Sequence, residues 1–268
     1  AHTTRQDQAL GCHSFHSHAT TPQNLTTTAP AWPKVCDRTM RTAGARSRFT
    51  RANGNLTTAK SASLIVVHYT AMPNAQAALE RLSDPAHEVS AHYFLDQSGG
   101  AVQLVPEAQR AWHAGAGAWG GCTDVNSASI GIELCNAGDH AFSSAQMQAL
   151  KSLLKEVMQR WGIAAQGVIG HSDMAPGRKQ DPGRWFDWQE LAKEGLAVYR
   201  GAPHSHLLPF AEAAERFGYR RPEWAAAEHC LLEAFRQRFR PKATGPLSEK
   251  DLQILSDLAQ SYPATVSG

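Results

Sequence analysis

Apolar and polar positions fall into clear rhythms only after about residue 60. Residues 1 to about 60 are rich in Thr, Ser, Ala, Asn, Gln and His and carry neither a period of two nor one of 3.6, which predicts an extended or disordered N-terminal region. From Ser63 the run SLIVVHYT is β-branched and almost continuously apolar, the pattern of a strand buried on both faces, with His68 near its end. AHYFLDQSGGAVQLV then places two short strands on either side of Gly99 and Gly100, a hairpin signal. SIGIEL, Ser129 to Leu134, reads as a further central strand, and GVIG, Gly167 to Gly170, as a short one.

The clearest helix is SSAQMQALKSLLKEVMQRWG. Ser143 and Gln146 stand in capping-box spacing at its start, and Gly162 ends it. Met147, Leu150, Leu154, Val157, Met158 and Trp161 recur at steps of three and four, so one face should pack on the sheet. DWQELAKEGLAVY predicts a second helix. Strands alternating with helices indicate an α/β domain over residues 61–200. GAPHSHLLP, residues 201–209, reads as a linker. Residues 210–268 hold three amphipathic segments, PFAEAAERFGY, PEWAAAEHCLLEAFRQRF and SEKDLQILSDLAQSY, which predict a small helical domain.

Composition narrows the function classes. With 42% hydrophobic and 19% charged residues over 268 positions, most of the chain can bury a core. A net charge of +2 without long basic runs argues against a nucleic-acid partner and favours a neutral or mixed-charge substrate. Cys12, Cys36, Cys122, Cys135 and Cys230 are widely spaced, with no CxxC pair, which argues against a disulfide framework or zinc knuckle. No stretch reaches the roughly 18 apolar residues of a membrane span. The start at Ala1 instead of methionine reads as a processed or truncated form.

Candidate chemistry centres on GHSDMAPGRKQDPG, residues 170–183, whose prolines and glycines predict a loop. His68 and His171 each sit at or after a strand end, where ligand sites of α/β sheets lie, and Asp181 follows ten residues after His171. From spacing alone two readings stand: an open three-ligand zinc set, or ordinary structural histidines among the chain's 13. Lys179 lies two positions from Asp181 and so points the same way in an extended loop. Glu133 interrupts an apolar strand; it is either an edge-strand carboxylate facing solvent or a carboxylate that is paired or used. His92 and His113 read by default as core histidines with a satisfied hydrogen bond, or as groove residues if the site faces them; Asp173 and Arg178 read as braces around the loop, and His204 and His206 as solvated. Trp112, Trp119, Trp185 and Trp188 fit either a sugar-binding groove or the core. His13, His16 and His18 read as incidental.

Together, LIVVHYTA, SAHYFLDQSG, QLVPEAQRAWHAG, NSASIGIEL and GHSDMAPGRKQDPG resemble the zinc-dependent N-acetylmuramoyl-L-alanine amidases of the type 2 amidase family. The similarity covers residues 63–200. The C-terminal part, with its phrase AFRQRFRP, resembles the small peptidoglycan-binding-like three-helix domain of the Gram-negative periplasmic branch. The resemblance implies an α/β fold with a central mixed sheet flanked by helices. It implies one zinc ion (Zn2+) on His68, His171 and Asp181, with Glu133 and Lys179 as the catalytic pair.

The implied reaction is hydrolysis of the amide between N-acetylmuramic acid, or its anhydro form, and the L-alanine of the stem peptide. Peptidoglycan or a muropeptide would be the partner of a monomeric protein. The alternative is a recognition module of the same fold that binds muropeptides without cutting them; the complete ligand set and Glu133 favour catalysis. The family branch implies a periplasmic location, with outer-membrane association. ALGC ends at Cys12 with glycine before cysteine as in a lipobox, although Ala9 stands where leucine is usual.

Overall fold

Five strands form one sheet: β1 (Leu64–Tyr69), β2 (Tyr93–Leu95), β3 (Ala101–Gln103), β4 (Ser129–Leu134) and β5 (Val168–Gly170), in the order β3-β2-β4-β1-β5. The structure, a computed structural model, describes residues 61–222 and 227–264. The expectations for residues 1–60, including the HSFHSH histidines, Cys12 and Cys36, lie outside the described residues. β1 runs parallel to β4 and β5, β2 runs parallel to β4, and β2 and β3 are antiparallel. The sheet is mixed, as expected. β1 lies between two parallel neighbours, and Leu64 to Val67 are buried, so its continuous apolar run has a simple cause. The β2–β3 hairpin turns through Asp96, whose Oδ1 accepts from the backbone N–H of Ser98 and Gly100 at 2.8 Å each.

One face of the sheet is covered by the long helix Ser144–Trp161, called α3 below, after α1 (Ala75–Ser83) and α2 (Val125–Ala128). Met147, Leu150, Leu154 and Val157 pack there against Ile65, Val67, Ile130, Ile132 and Leu134. Burial of each such side chain contributes about 1.5–3 kcal/mol. Ser143 caps the helix by accepting from the Gln146 N–H, and Gly162 ends it with a positive φ of 67°. Gln146 does not reach back to complete a capping box. Its buried amide instead donates to the carbonyls of Leu95 and Cys135 at the ends of β2 and β4, joining the helix start to both strands.

The opposite face carries Leu64, Val66 and Ile169, which share one apolar cluster with the C-terminal helices α6 (Phe210–Phe217), α7 (Ala227–Phe239) and α8 (Glu249–Ser261). Phe210, Phe217, Phe235, Phe239, Leu255 and Leu258 belong to that cluster. Packing therefore runs without a break from the sheet into residues 210–264. The segment 201–209 is tied to α8 by backbone N–H groups: Ala202 donates to Ser261 Oγ, His204 to Asp257 Oδ1 and Leu208 to Ser256 Oγ.

Two local differences from the sequence reading have physical reasons. α1 carries a short apolar stripe, Ala75, Ala78, Leu79 and Leu82, of which only Ala78 is fully buried; Asn74, capping the Ala77 N–H, marks its start. Within DWQELAKEGLAVY the helix α5 covers only Trp188–Lys193, because Gly195, at φ 70°, turns the chain and Leu196 to Val198 enter the core as irregular backbone. Cys122 and Cys135 are free thiols.

Candidate active site

The site lies at the C-terminal ends of the parallel strands, on the face opposite α3. Side chains alternate along β1, so Leu64, Val66 and His68 share a face, and the register aligns His68 with Glu133 of β4. β5 delivers the next element. Immediately after Gly170 the chain makes a single helical turn, α4 (His171–Met174), inside what the sequence reads as a loop. The loop then returns to Asp181, whose backbone carbonyl accepts from the Ser172 N–H at 2.8 Å.

These elements bring three ligand atoms together. His68 Nδ1 is 2.9 Å from His171 Nδ1 and 2.8 Å from Asp181 Oδ2, and His171 Nδ1 is 2.9 Å from the same oxygen. All three residues are buried. The proton inventory of their neighbours decides what the triangle is. His171 Nε2 donates to the Ala114 carbonyl at 2.8 Å, which leaves Nδ1 of the neutral ring bare. The Ser129 hydroxyl donates to the Val125 carbonyl, so Ser129 Oγ accepts from His113 Nε2 at 3.2 Å. His113 Nδ1 then accepts from His68 Nε2 at 3.0 Å, and His68 Nδ1 is bare as well. Two lone pairs and a carboxylate oxygen in mutual contact repel one another unless a cation sits among them. The donor set fits a divalent metal of the zinc type, with a position open for water or substrate.

The electrostatics agree. Burial lowers the His68 pKa to about 4, keeping the ring neutral as a ligand must be. Burial opposes ionisation of Asp181, but positive charge shared with His171 and His68 holds its carboxyl well below the usual range, the same demand for a cation at this point. Burial and the negative charge of Asp181 push the Glu133 carboxyl up to about 8, with Lys179 pulling the other way. Glu133 stands on β4, the middle strand, so the solvent-facing edge reading does not hold. Its Oε2 is buried and accepts no hydrogen bond among the described residues, an expensive state for a group without a use. Lys179 is exposed on the site loop, close enough for its charge to be felt by both Glu133 and His68.

The surrounding residues sort accordingly. His113 and His92 are both buried and hydrogen-bonded, and His113 reaches the site through His68. Asn126 Oδ1 accepts from the backbone N–H groups of His113 and Ala114, which sets the positions of that ring and that carbonyl. Gly131 lies on the same strand face between Ser129 and Glu133, and a Cβ there would overlap the His113 ring. Arg178 braces the loop by donating to the Ala114 carbonyl at 2.6 Å. Ser129, Asn126 and Ala114 escape the sequence reading, since a serine, an asparagine and a backbone carbonyl carry no motif of their own. Of the tryptophans, Trp119 and Trp188 are core, whereas Trp112 and Trp185 are exposed. His206 is exposed; His204 is partly covered, its Nδ1 donating to the Ala202 carbonyl.

Comparison with known proteins gives consistent findings. A family model described as N-acetylmuramoyl-L-alanine amidase matches residues 58–184. The N-acetylmuramoyl-L-alanine amidase AmiD of Escherichia coli (strain K12) is 34% identical over 231 residues, covering 74% of this chain and 83% of that protein. The 1,6-anhydro-N-acetylmuramyl-L-alanine amidase AmpD of Citrobacter freundii is 42% identical over 100 residues, 37% of this chain and 54% of that one. The solved complex of AmiD from E. coli with anhydro-N-acetylmuramic acid-L-Ala-D-gamma-Glu-L-Lys superposes with a TM-score of 0.69 at 33% identity, covering 78% of this chain and 93% of the other. AmpDh3 from Pseudomonas aeruginosa, solved with anhydromuramic pentapeptide, gives 0.68 at 30% identity, covering 84% of this chain and 100% of the other.

Proposed function

Because the chain belongs to the N-acetylmuramoyl-L-alanine amidase family, we propose that it cuts the amide between N-acetylmuramic acid, or its anhydro form, and the L-alanine of a peptidoglycan stem peptide. One zinc ion on His68, His171 and Asp181 is part of this reading. The observation that carries it is the triangle of bare ligand atoms beside an orphaned, protonatable carboxyl. Two relatives of the same fold, solved with anhydromuramyl peptides, support the substrate class.

A bound zinc ion lowers the pKa of its water toward about 7 and polarises a carbonyl, which supplies the nucleophile and electrophile of amide hydrolysis. The chain's own groups do the rest. Glu133 takes a proton from the attacking water and returns it to the departing L-alanine nitrogen, so the amine leaves neutral. Lys179 offsets the negative charge that develops on the former carbonyl oxygen. His113 and the Ala114 carbonyl hold the two ligand imidazoles in the tautomer that leaves Nδ1 free.

The test is incubation of the purified protein with an anhydromuramyl tripeptide and with sacculi, each with chelator and after zinc is restored. New peptides with a free L-alanine amino terminus, lost with chelator and regained with zinc, are expected. Binding without cleavage in the zinc-loaded protein would overturn the reading in favour of a recognition module. We further propose that the protein works as a monomer in the periplasm, associated with the outer membrane, since its substrate lies there and Gly11 precedes Cys12 as in a lipobox. Cell fractionation and a solution mass measurement test this; recovery from the cytosol, or as a dimer, would refute it.

A further inference from the structure

Asp173 and Arg238 form an ion pair that is buried on both sides, 0% and 2% exposed, between the loop of the site and the C-terminal layer. Arg238 Nη1 donates to Asp173 Oδ2 at 2.7 Å, while Nη2 donates to the carbonyls of Val168 at 3.2 Å and Val198 at 2.9 Å. The guanidinium lies 4.2 Å from the centre of the Trp188 ring. Tyr219, also buried, donates to Asp173 Oδ1 at 2.8 Å, and Asp173 Oδ2 accepts in addition from the Gly170 N–H at 2.8 Å. The side chains of Asp173, Arg238 and Tyr219 thus form a clamp that ties the backbone at Val168 and Gly170, just before His171, to Asp173, just after it.

A buried pair of this kind is a poor way to gain stability, because apolar side chains of equal volume serve as well or better. Arg238 Nε even remains buried without an acceptor among the described residues. What the charges add over apolar packing is fixed direction and distance. We infer that Arg238 and Tyr219 are positioning residues, which act through Asp173 to fix the His171 imidazole for metal ligation. The C-terminal layer thus completes the metal centre from behind. This inference rests on the metal-centre reading above.

Zinc affinity of the full chain, measured against a chromophoric chelator, and the visible spectrum of its cobalt form test it without recourse to activity. Tyr219→Phe keeps the ring in its aromatic cluster and removes one hydrogen bond; Arg238→Met removes the charge but keeps an apolar stem. Leu255→Ala loosens the same helical layer away from Asp173 and serves as the control, compared at matched loss of thermal stability. The clamp variants should weaken zinc binding about 10–100-fold, Tyr219→Phe at the lower end, and change the cobalt spectrum. Leu255→Ala should match the wild type in both. Wild-type affinity in both clamp variants, or an equal loss in Leu255→Ala, would overturn the inference alone. A wild-type chain that binds no zinc would overturn the metal-centre reading and this inference with it.

Discussion

His68 on β1 lies directly opposite Glu133 on β4 in parallel register, so the two side chains leave the same face of the sheet one strand apart. A ligand and a proton-transfer group are thereby held on regular elements, by backbone hydrogen bonds between two inner strands.

Their roles should separate on substitution. Glu133→Gln is expected to keep zinc within a few-fold of wild type and to lose turnover by about 10²–10⁴-fold, the usual contribution of a general acid–base. His68→Ala should lose the metal itself. Metal content after dialysis, read beside the cleavage rate, checks both; a Glu133→Gln enzyme with near-normal turnover would remove Glu133 from the mechanism.

The relay behind His68 gives a second test. His113→Ala leaves His68 Nε2 without its acceptor, so the ring is free to take the tautomer that protonates Nδ1. Zinc affinity should fall about 10–100-fold. His113→Gln, which offers an acceptor at similar reach, should recover part of it. Unchanged affinity in His113→Ala would show that other contacts suffice to orient His68.

Gly131→Ala perturbs the same relay sterically, since the new Cβ would overlap the His113 ring. Overpacking of this kind costs about 1–3 kcal/mol, and displacement of His113 should weaken zinc binding as well. Thermal unfolding with and without zinc is the measurement. A protein as stable as the wild type and equally tight for zinc would mean that the ring has room to shift.

Acid should act on the α7–α8 hairpin through Asp251. This carboxylate is 0% exposed and accepts from Arg236 Nη2 at 2.6 Å and Arg240 Nη1 at 2.7 Å. Burial opposes its ionisation, but hydrogen bonds from Arg236, Ser248 and Arg240 prevail and depress its pKa below the ordinary 3.8. A depressed folded pKa means the contribution is complete above 3.8 and fades as pH falls below it toward the folded value. At pH 7, Asp251→Ala leaves Arg236 buried without its partner and should cost about 3–5 kcal/mol. The gap between wild type and this variant, from denaturant unfolding, should narrow below pH 4; a constant gap would refute the linkage.

The sequence by itself determined what local physics and residue type can carry. The run at Ser63–Thr70, the hairpin at Gly99–Gly100, the strand SIGIEL and the Ser143-to-Gly162 helix were legible because buried strands, turns and amphipathic helices each impose a period or a glycine. The five ordered motifs pointed to His68, His171, Asp181, Glu133 and Lys179. Only the tertiary structure decided how these act together. It alone aligned His68 with Glu133, because register depends on which strands become neighbours. It alone turned His113 and Ser129 into a relay and made Arg238 a neighbour of Asp173, 65 positions away. A hydrogen-bonding group has no period; its role is fixed by whichever distant atom folding places within 3 Å or so.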